Sequence, residues 1–279
     1  MNITVVGGMN LDLLGFPGGI LLPRDSNPGS IQMRPGGVGR NIAARLIALG
    51  AKVSLITALG NDDQARMLAG FCRERGIDLS HALETALPSP CYLCIHDEKG
   101  DMAVAISDMQ AVDQLTPAKM EQRMDFINQG DGCVLDANLS PETLLYIARH
   151  AKVPLFLDPV SCVKAQRVRE ILPYLAVIKP NRLEAAALTG ENQVEKAAAA
   201  LRALGAKHVF ISMGADGVYY SGPDGMGICP AIPLPAIPLT GAGDALMAGV
   251  TLALLEGKST KDAAAAGCRA SHDALLAAL

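Results

Sequence analysis

The residues best suited to chemistry in this sequence form the motif Gly241-Ala242-Gly243-Asp244, which opens an apolar stretch typical of a helix. Glycines let backbone N–H groups approach an anion closely, and a helix start adds positive potential. A carboxylate beside such a site needs a nearby cation or a task, and accepting a proton from a hydroxyl that attacks a phosphate is one such task. On this motif alone, an Asp244 that merely caps its helix is equally consistent.

A second motif, at residues 179–184, begins where a predicted strand ends and continues into a predicted helix. Asn181 and Glu184 are three residues apart and share a helix face, where an amide and a carboxylate suit Mg²⁺ held largely through water. The same pair fits a capping box, in which each side chain bonds the backbone N–H of the other residue. Both interpretations can hold at once.

A third motif is the glycine-rich loop at residues 35–41, Pro-Gly-Gly-Val-Gly-Arg-Asn, which precedes another predicted helix. It fits neither the Walker A pattern nor a good dinucleotide-binding pattern. Its glycines would let the backbone approach a sugar closely, with Asn41 directed at the sugar hydroxyls. A flexible loop with an ordinary first helical turn is the alternative.

The elements that must position these motifs follow from the alternation of short β-branched runs with longer helical patterns. This alternation predicts an α/β fold with a mostly parallel central sheet and helices on both faces. The predicted strands are residues 3–6, 53–57, 133–136, 155–158, 176–178 and 209–212. The predicted helices are residues 38–49, 62–75, 117–128, 141–151, 182–188, 194–204, 242–256 and 260–278. Ligands of such sheets collect beyond the carboxyl ends of the strands, where small and polar residues dominate here.

Two segments interrupt this rhythm, one rich in glycine and proline at residues 11–35 and one with a hairpin pattern at residues 90–107. Together they predict a small β-sheet that projects from the main sheet as a lid. Two separate surface insertions are the alternative. No internal repeat or linker divides the chain, so residues 1–279 are predicted to form a single domain.

Composition narrows the class of protein. The 279 residues are 50% hydrophobic and carry a net charge of −4 without a basic run, so we expect no nucleic-acid partner. The apolar stretch after Asp244 is too short to cross a bilayer, and the N-terminus lacks the features of a signal peptide, so we expect a cytoplasmic protein with no membrane partner. The seven cysteines are odd in number and spread out, which favours reduced thiols, with Cys91 and Cys94 as ordinary strand residues.

Taken together and in order, these motifs resemble the ribokinase-like, or PfkB, family of carbohydrate kinases over nearly the whole chain. The resemblance starts at Gly7-Gly8-Met9-Asn10-Leu11-Asp12 and continues through the three motifs above. Shorter stretches resemble the pseudouridine kinase branch, above all Asp25-Ser26-Asn27-Pro28-Gly29. The resemblance implies a ribokinase-like three-layer sandwich with a β-sheet lid, often paired with the lid of a second subunit in a homodimer. It also implies ATP- and Mg²⁺-dependent phosphorylation of a small nucleoside or sugar, and for that branch of the 5′-hydroxyl of pseudouridine.

The resemblance also implies roles for individual residues. Asp244 would be the catalytic base, and the N–H groups of Gly241, Ala242 and Gly243 would form an anion hole. The implied substrate-binding residues are Asp12, Asn27, Gly37, Asn41, Asp108 and Lys164. The implied nucleotide-binding residues are Asn181, Ser212 and Gly214, and Glu184 is the implied Mg²⁺ residue, acting through water.

The sequence departs from the family pattern at two places. Members that use K⁺ often carry an Asp six residues before the catalytic Asp, but Pro238 stands there and offers no side-chain ligand, which argues against activation by a monovalent cation. Related chains usually continue past the position of Leu279 to help enclose adenine, so we expect a nucleotide pocket that is open, weak or completed differently. The remaining alternatives are ribose, another nucleoside or a hexose as substrate, and a nucleoside-binding homologue that no longer catalyses.

Overall fold

The computed structural model describes residues 1–233 and 241–277, in which strands and helices alternate along most of the chain. The strands are β1 Asn2–Val6, β2 Asn10–Pro17, β3 Gly29–Gly36, β4 Lys52–Ile56, β5 Ala58–Leu59, β6 Leu83–Glu84, β7 Cys91–His96, β8 Met102–Asp108, β9 Gly132–Asp136, β10 Leu155–Asp158, β11 Val177–Ile178, β12 His208–Ser212, β13 Val218–Gly222 and β14 Gly225–Cys229. The α-helices are α1 Val38–Ala48, α2 Asp63–Glu74, α3 Pro117–Glu121, α4 Met124–Ile127, α5 Pro141–His150, α6 Cys162–Ala165, α7 Arg182–Thr189, α8 Val194–Ala203, α9 Ala242–Leu255 and α10 Thr260–Leu276.

The central sheet has eight strands in the order β14-β13-β12-β11-β10-β9-β1-β4. From β12 to β4 the neighbouring strands run parallel, and β13 and β14 extend the sheet antiparallel at one edge. The predicted mostly parallel sheet is therefore confirmed. Parallel pairing brings the carboxyl ends of β1, β9, β10, β11 and β12 to one edge, which is where ligands of such sheets bind.

Helices cover both faces of this sheet because neighbouring residues of each buried strand point to opposite sides. In β9, Leu135 packs in the core formed with α5, α7 and α8, whereas Val134 packs in the core formed with α1, α2, α9 and α10. The fold therefore has three layers, as predicted. Burying one such aliphatic side chain contributes about 1.5–3 kcal/mol, so the two cores hold the strand ends firmly in register.

A second sheet of four strands, β3-β2-β7-β8, stands apart from the central one. In it β2 pairs antiparallel with β3 and parallel with β7, and β7 and β8 form the predicted hairpin. The two irregular segments of the sequence therefore do form one small sheet, as expected for a lid. Closure of this sheet over a ligand stays a prediction.

The predicted element bounds compare closely with the structure. The six predicted strands are confirmed to within one residue at each end, whereas the predicted helix at residues 117–128 is wrong and consists of two short helices, α3 and α4. Sequence reasoning missed the β13–β14 hairpin and the helical segment made of α6 and a 3₁₀ stretch at Gln166–Tyr174. All seven cysteines are free thiols, and no helix within the described ranges has the length and apolar character needed to cross a bilayer.

Candidate active site

Charged and polar side chains converge at the carboxyl edge of the central sheet. β9 ends at Asp136 and β10 at Asp158, β11 is followed directly by Lys179, and β12 ends at Ser212. Asp136, Asp158 and Lys179 are each at most 5% exposed, which is unusual for charged residues unless they are paired or hydrogen-bonded. The start of α9 lies at the same edge, because Gly243 and Lys179 are close neighbours.

The first turn of α9 is open. Gly241 precedes the helix in the left-handed conformation, with φ of 82°, and no side chain within the described residues caps the first turn. The N–H groups of a helix start that lack a cap are free to bind an anion, and the helix dipole favours that anion. Gly243 has a steric reason to be glycine, since an added Cβ would lie 3.2 Å from Nζ of Lys179. The first turn of α9 therefore has no cap from the described side chains, and anion binding by the N–H groups of Gly241, Ala242 and Gly243 stays a prediction.

Asp244 lies in this first turn and faces charged groups from three other elements. Burial is the largest cause of a rise in its pKa to about 7, and the carboxylate of Asp158 raises it further. Lys179, the amide of Asn41 and the guanidinium of Arg40 act in the opposite direction. No described backbone N–H donates to Asp244, so simple helix capping is not what this side chain does in the structure.

A buried ion pair lies beside Asp244. Nζ of Lys179 is 2.9 Å from Oδ2 of Asp158, and each side chain is only 6% exposed. Burial by itself would lower the pKa of Lys179, but Asp158, Asp244 and Glu184 together raise it, so the ammonium stays charged. Lys179 thus shares one buried region at the start of α9 with three carboxyl groups, those of Asp158, Asp244 and Glu184.

The start of α7 is closed by its own side chains. Oδ1 of Asn181 accepts from the N–H of Glu184 at 2.9 Å, and Oε2 of Glu184 accepts from the N–H of Asn181 at 2.9 Å. The capping box is therefore confirmed, and binding of nucleotide or Mg²⁺ by these two residues stays a prediction. Glu184 is 5% exposed, and burial raises the pKa of its carboxyl.

The donor set of this edge fits Mg²⁺ bound together with phosphate. Within the described residues no group of three or more His, Cys, Asp and Glu side chains is placed to hold a metal ion, so no cage made of protein ligands alone is present there. Only one oxygen of Glu184 is used by the capping box, which leaves the other available to a water ligand. Mg²⁺ in phosphoryl-transfer sites typically has one or two carboxylates, substrate phosphates and several waters, and this site matches that pattern.

The proposed ribose residues lie on the other side of Asp244. Gly37, with φ of 95°, starts α1, and a Cβ there would collide with the backbone of Gly8. Asn41 lies one turn further along α1 and reaches Asp244. The carboxylate of Asp12 packs against Gly36 and accepts from Nδ2 of Asn10 at 2.5 Å, and burial raises its pKa.

Arg40 connects the two halves of this site. It is 9% exposed, its Nη2 donates to the carbonyl of Pro35, and its charge acts on both Asp12 and Asp244. The side chain thereby fixes the loop that precedes α1 and supplies positive charge between the two carboxylates. Sequence reasoning quoted Arg40 within the motif and gave it no role.

Asp136 is a second residue whose role the sequence did not reveal. It is fully buried, and its Oδ2 accepts from the N–H groups of Gly8 and Gly39, both at 2.8 Å. Its Oδ1 accepts from the N–H of Asn138 at 2.9 Å, and Nζ of Lys164 donates to Oδ1 of Asn138 at 2.5 Å. One carboxylate thus joins the loops after β1 and β9 to the first turn of α1, and it brings Lys164 to the edge of the site.

The structure does not gather the remaining predicted residues around Asp244. Asn27 is bound within its own loop, where its amide donates to the carbonyls of Leu22 and Asp25, while Asp108 ends β8 and accepts from the N–H of Gln110 at 3.2 Å. Asp108 and Asp12 do share the surroundings of Cys91.

On the nucleotide side, Ser212 bonds to the start of α7 through its N–H and the carbonyl of Pro180, at 2.9 Å. Gly214 has φ of 63° and open space around it, so its backbone conformation rather than a close contact requires glycine. Pro238, the basis of the monovalent-cation prediction, lies outside the described residues.

Comparison with known proteins places this geometry in context. Residues 1–275 match the pfkB family of carbohydrate kinases. The chain is 39% identical to the pseudouridine kinase of Escherichia coli strain K12 over 265 residues, which cover 91% of this chain and 84% of that protein. It is 30% identical to the ribokinase of Haemophilus influenzae over 277 residues, which cover 94% of this chain and 88% of that one.

Solved structures give the same picture of the fold. The ribokinase of Thermotoga maritima superposes with a TM-score of 0.86 at 27% identity, and the match covers 96% of this chain and 91% of that chain. The predicted ribokinase-like architecture is therefore confirmed.

Proposed function

The chain belongs to the pfkB family of carbohydrate kinases, and on that premise we propose that it transfers the γ-phosphoryl group of ATP to the 5′-hydroxyl of pseudouridine. The observation that carries the proposal is Asp244, a carboxylate with a pKa of about 7 at a helix start that no described side chain caps. A base with this pKa is about half ionised at neutral pH and still binds a proton well, which is the compromise that general base catalysis requires.

The proposed reaction uses the residues in fixed roles. Asp244 accepts the proton of the 5′-hydroxyl as its oxygen bonds to the γ-phosphorus, and the bond between that phosphorus and the β–γ bridging oxygen breaks to release ADP. The N–H groups of Gly241, Ala242 and Gly243 stabilise the charge that spreads over the transferred group. Mg²⁺ bound near Glu184 would neutralise phosphate charge. Asp12, Gly37 and Asn41 hold the ribose so that only its 5′-hydroxyl reaches Asp244.

The choice of pseudouridine rests on the 39% identity to a pseudouridine kinase and on the chemistry of the base. Pseudouridine has an N1–H where uridine has a C5–H, so an acceptor at that point distinguishes the two nucleosides. A site built to bond such a group rejects an analogue that lacks it far better than an apolar pocket does. We assign Asp108, Asn27 and Lys164 to the base, with Asn27 and Asp108 moving in when the small sheet closes.

A panel of acceptors tests this assignment. Purified protein with saturating Mg·ATP is assayed for ADP release with pseudouridine, uridine, cytidine, adenosine, ribose and fructose. We expect the largest kcat/KM with pseudouridine, and a product that carries phosphate on the 5′-oxygen. An equal or larger kcat/KM for ribose or another nucleoside would transfer the assignment to that substrate. Pseudouridine binding without ADP release, at high protein concentration, would favour a homologue that has lost catalysis.

The small sheet is proposed as both a lid and a dimer interface, as the family resemblance implies. Its outer face exposes Ile31, Met33, Leu93, Val104 and Ile106 to 77%, 63%, 37%, 56% and 65%. Leu93 is the direct partner of Ile106 in the sheet, so this apolar surface is continuous and its burial against a second copy would be favourable. Light scattering should give the mass of a dimer for the wild type and of a monomer for an Ile31→Glu/Ile106→Glu variant. A wild-type monomer at micromolar concentration would contradict the interface.

Because the reaction consumes ATP, a cytoplasmic location is part of the same proposal.

A further inference from the structure

The ion pair between Lys179 and Asp158 is the feature of this edge that the proposed reaction leaves unexplained. Both side chains are 6% exposed and the two atoms are 2.9 Å apart. A buried ion pair is weak grounds for stability, because desolvation offsets most of its attraction and an apolar pair of similar size is often as stable. The position of the pair is therefore more informative about its role than its contribution to stability.

The pair lies at the first turn of α9, beside Asp244. Nζ of Lys179 is 3.2 Å from the point where a Cβ on Gly243 would stand, one residue before Asp244. β10 and β11 are neighbours in register, Leu157 beside Ile178, so Asp158 and Lys179 follow their strands side by side. Each charge is therefore fixed by the central sheet and does not depend on the lid.

The groups that face Asp244 come from three other elements. Arg40 and Asn41 face it from α1, Asp158 from β10 and Lys179 from the end of β11. Arg40 is already committed to the loop at residues 35–36, through the carbonyls of Pro35 and Gly36. The pair thus contains the anion that most raises the pKa of Asp244, together with a cation that opposes it, and Glu184 acts on both members of the pair.

We propose that Lys179 and Asp158 are positioning residues that set the proton affinity of Asp244, Asp158 by making it a stronger base and Lys179 by keeping it ionised. The bond to Asp158 fixes the position of the Lys179 ammonium beside the first turn of α9. The claim that this proton affinity serves catalysis rests on the proposed function, whereas the coupling among the three groups does not.

The two members of the pair should act in opposite directions. Replacing Asp158 by Asn removes a negative charge and leaves the cation of Lys179 to Asp244, so the pKa of Asp244 falls. Replacing Lys179 by Gln leaves two carboxylates facing each other, so the pKa of Asp244 rises, or the two share one proton with a higher apparent pKa. A charge at this distance typically shifts a carboxyl by about one pH unit or more.

Two measurements on the full chain test the coupling. The first is the pH profile of kcat/KM for the nucleoside at saturating Mg·ATP, in the wild type, Asp158→Asn, Lys179→Gln and the double variant. The second is the titration of the Asp244 carboxyl carbon by ¹³C NMR in protein without ligands, with the signal assigned by its loss in Asp244→Asn. The matched control is Glu256→Gln, which removes one charge of an exposed ion pair at the other end of α9.

We expect the acid limb and the NMR titration to move down by about one pH unit in Asp158→Asn and up in Lys179→Gln. The double variant should lie between the two, and Glu256→Gln should match the wild type. A variant that folds poorly lowers the amplitude of the profile and leaves the position of its limb readable. An Asp244 titration that stays within about 0.3 pH unit of wild type in both single variants, or moves the same way in both, overturns the proposal. If Asp244→Asn keeps full activity while the NMR shifts occur, the proposed function fails and the coupling stands.

Discussion

Two helices begin at the same edge of the central sheet, and their first turns are built in opposite ways. The start of α7 is closed by a complete capping box between Asn181 and Glu184, whereas α9 starts at a left-handed Gly241 with no described side chain over its N–H groups. The first arrangement satisfies the backbone internally. The second leaves donors that only water or a bound anion can satisfy.

The surroundings of the two carboxylates follow the same contrast. Glu184 keeps one oxygen on a backbone N–H, and this bond opposes the rise in its pKa that burial causes. Asp244 accepts from no described backbone N–H, and the charges of Asp158 and Lys179 act on it in opposite directions. A cap fixes a helix, whereas an uncapped turn with a carboxylate of raised pKa is what the proposed phosphate binding and proton transfer require.

The largest expected effect comes from removing the charge of Asp244. We expect Asp244→Asn to lower kcat by about 10²–10⁴, because general base catalysis contributes this much, and to leave nucleoside binding within about threefold. Stopped assays with Mg·ATP and calorimetric titration of the nucleoside measure the two quantities. The matched control is Asp262→Asn, which changes an exposed Asp in the first turn of the neighbouring helix α10 and should keep wild-type kcat. Near-normal turnover by Asp244→Asn would show that the first turn of α9 does not supply the catalytic base.

The same variant should be more stable than the wild type at high pH. The pKa of Asp244 is about 7 in the folded chain against 3.8 in the unfolded one, so between these values the folded state binds the extra proton and stability falls as pH rises. Asp244→Asn lacks this loss. Its advantage in free energy of unfolding should therefore grow by about 2 kcal/mol between pH 5 and pH 8. Urea denaturation of both proteins at the two pH values measures this difference. An advantage that does not change with pH would mean that folding does not raise the pKa of Asp244.

How far the sequence predicts this site depends on how local the signal is. The α9 glycines and the Asn181–Glu184 spacing are local patterns, and both predicted first turns are present in the structure. Six strands were predictable because their apolar runs are short and bounded by turn residues. The hydrogen bonds of the Asn27 side chain within its own loop were not predictable, because its partners depend on how that loop folds back.

The ion pair between Lys179 and Asp158 and the hydrogen bonds of Asp136 could not be predicted from the sequence, for a different reason. Lys179 meets Asp158 only because β10 and β11 are adjacent and in a particular register, and a shift of one residue would send each side chain to the other face. Asp136 joins Gly8 and Gly39, which are 128 and 97 residues away in the chain. Buried charged residues immediately after apolar strands were the one available signal, and it indicates where such groups lie without indicating their partners.

A smaller effect is expected at Glu184, where structure and function overlap. Glu184→Gln keeps an oxygen that can accept from the N–H of Asn181, so the capping box and the free energy of unfolding should change by less than about 0.5 kcal/mol. The lost charge should raise the Mg²⁺ concentration for half-maximal activity by about tenfold. Titrations of activity with Mg²⁺ at fixed ATP measure this. Glu191→Gln, an exposed residue just beyond the other end of α7, is the matched control. An unchanged Mg²⁺ requirement would leave Glu184 with a capping role only.

The smallest expected effect tests the closed helix start directly. Asn181→Ala removes the cap of α7 and should lower the free energy of unfolding by about 1 kcal/mol, whereas Asn181→Ser keeps a good capping side chain and should lose only a few tenths. Urea denaturation without ligands measures both. If the amide also contacts nucleotide, the two variants should share the same increase in KM for ATP, because both lack the amide. A KM that changes only in the Ala variant would show that Asn181 acts through the helix alone, and the closed start of α7 would then serve the site only by holding Glu184 and the neighbouring Ser212 in place.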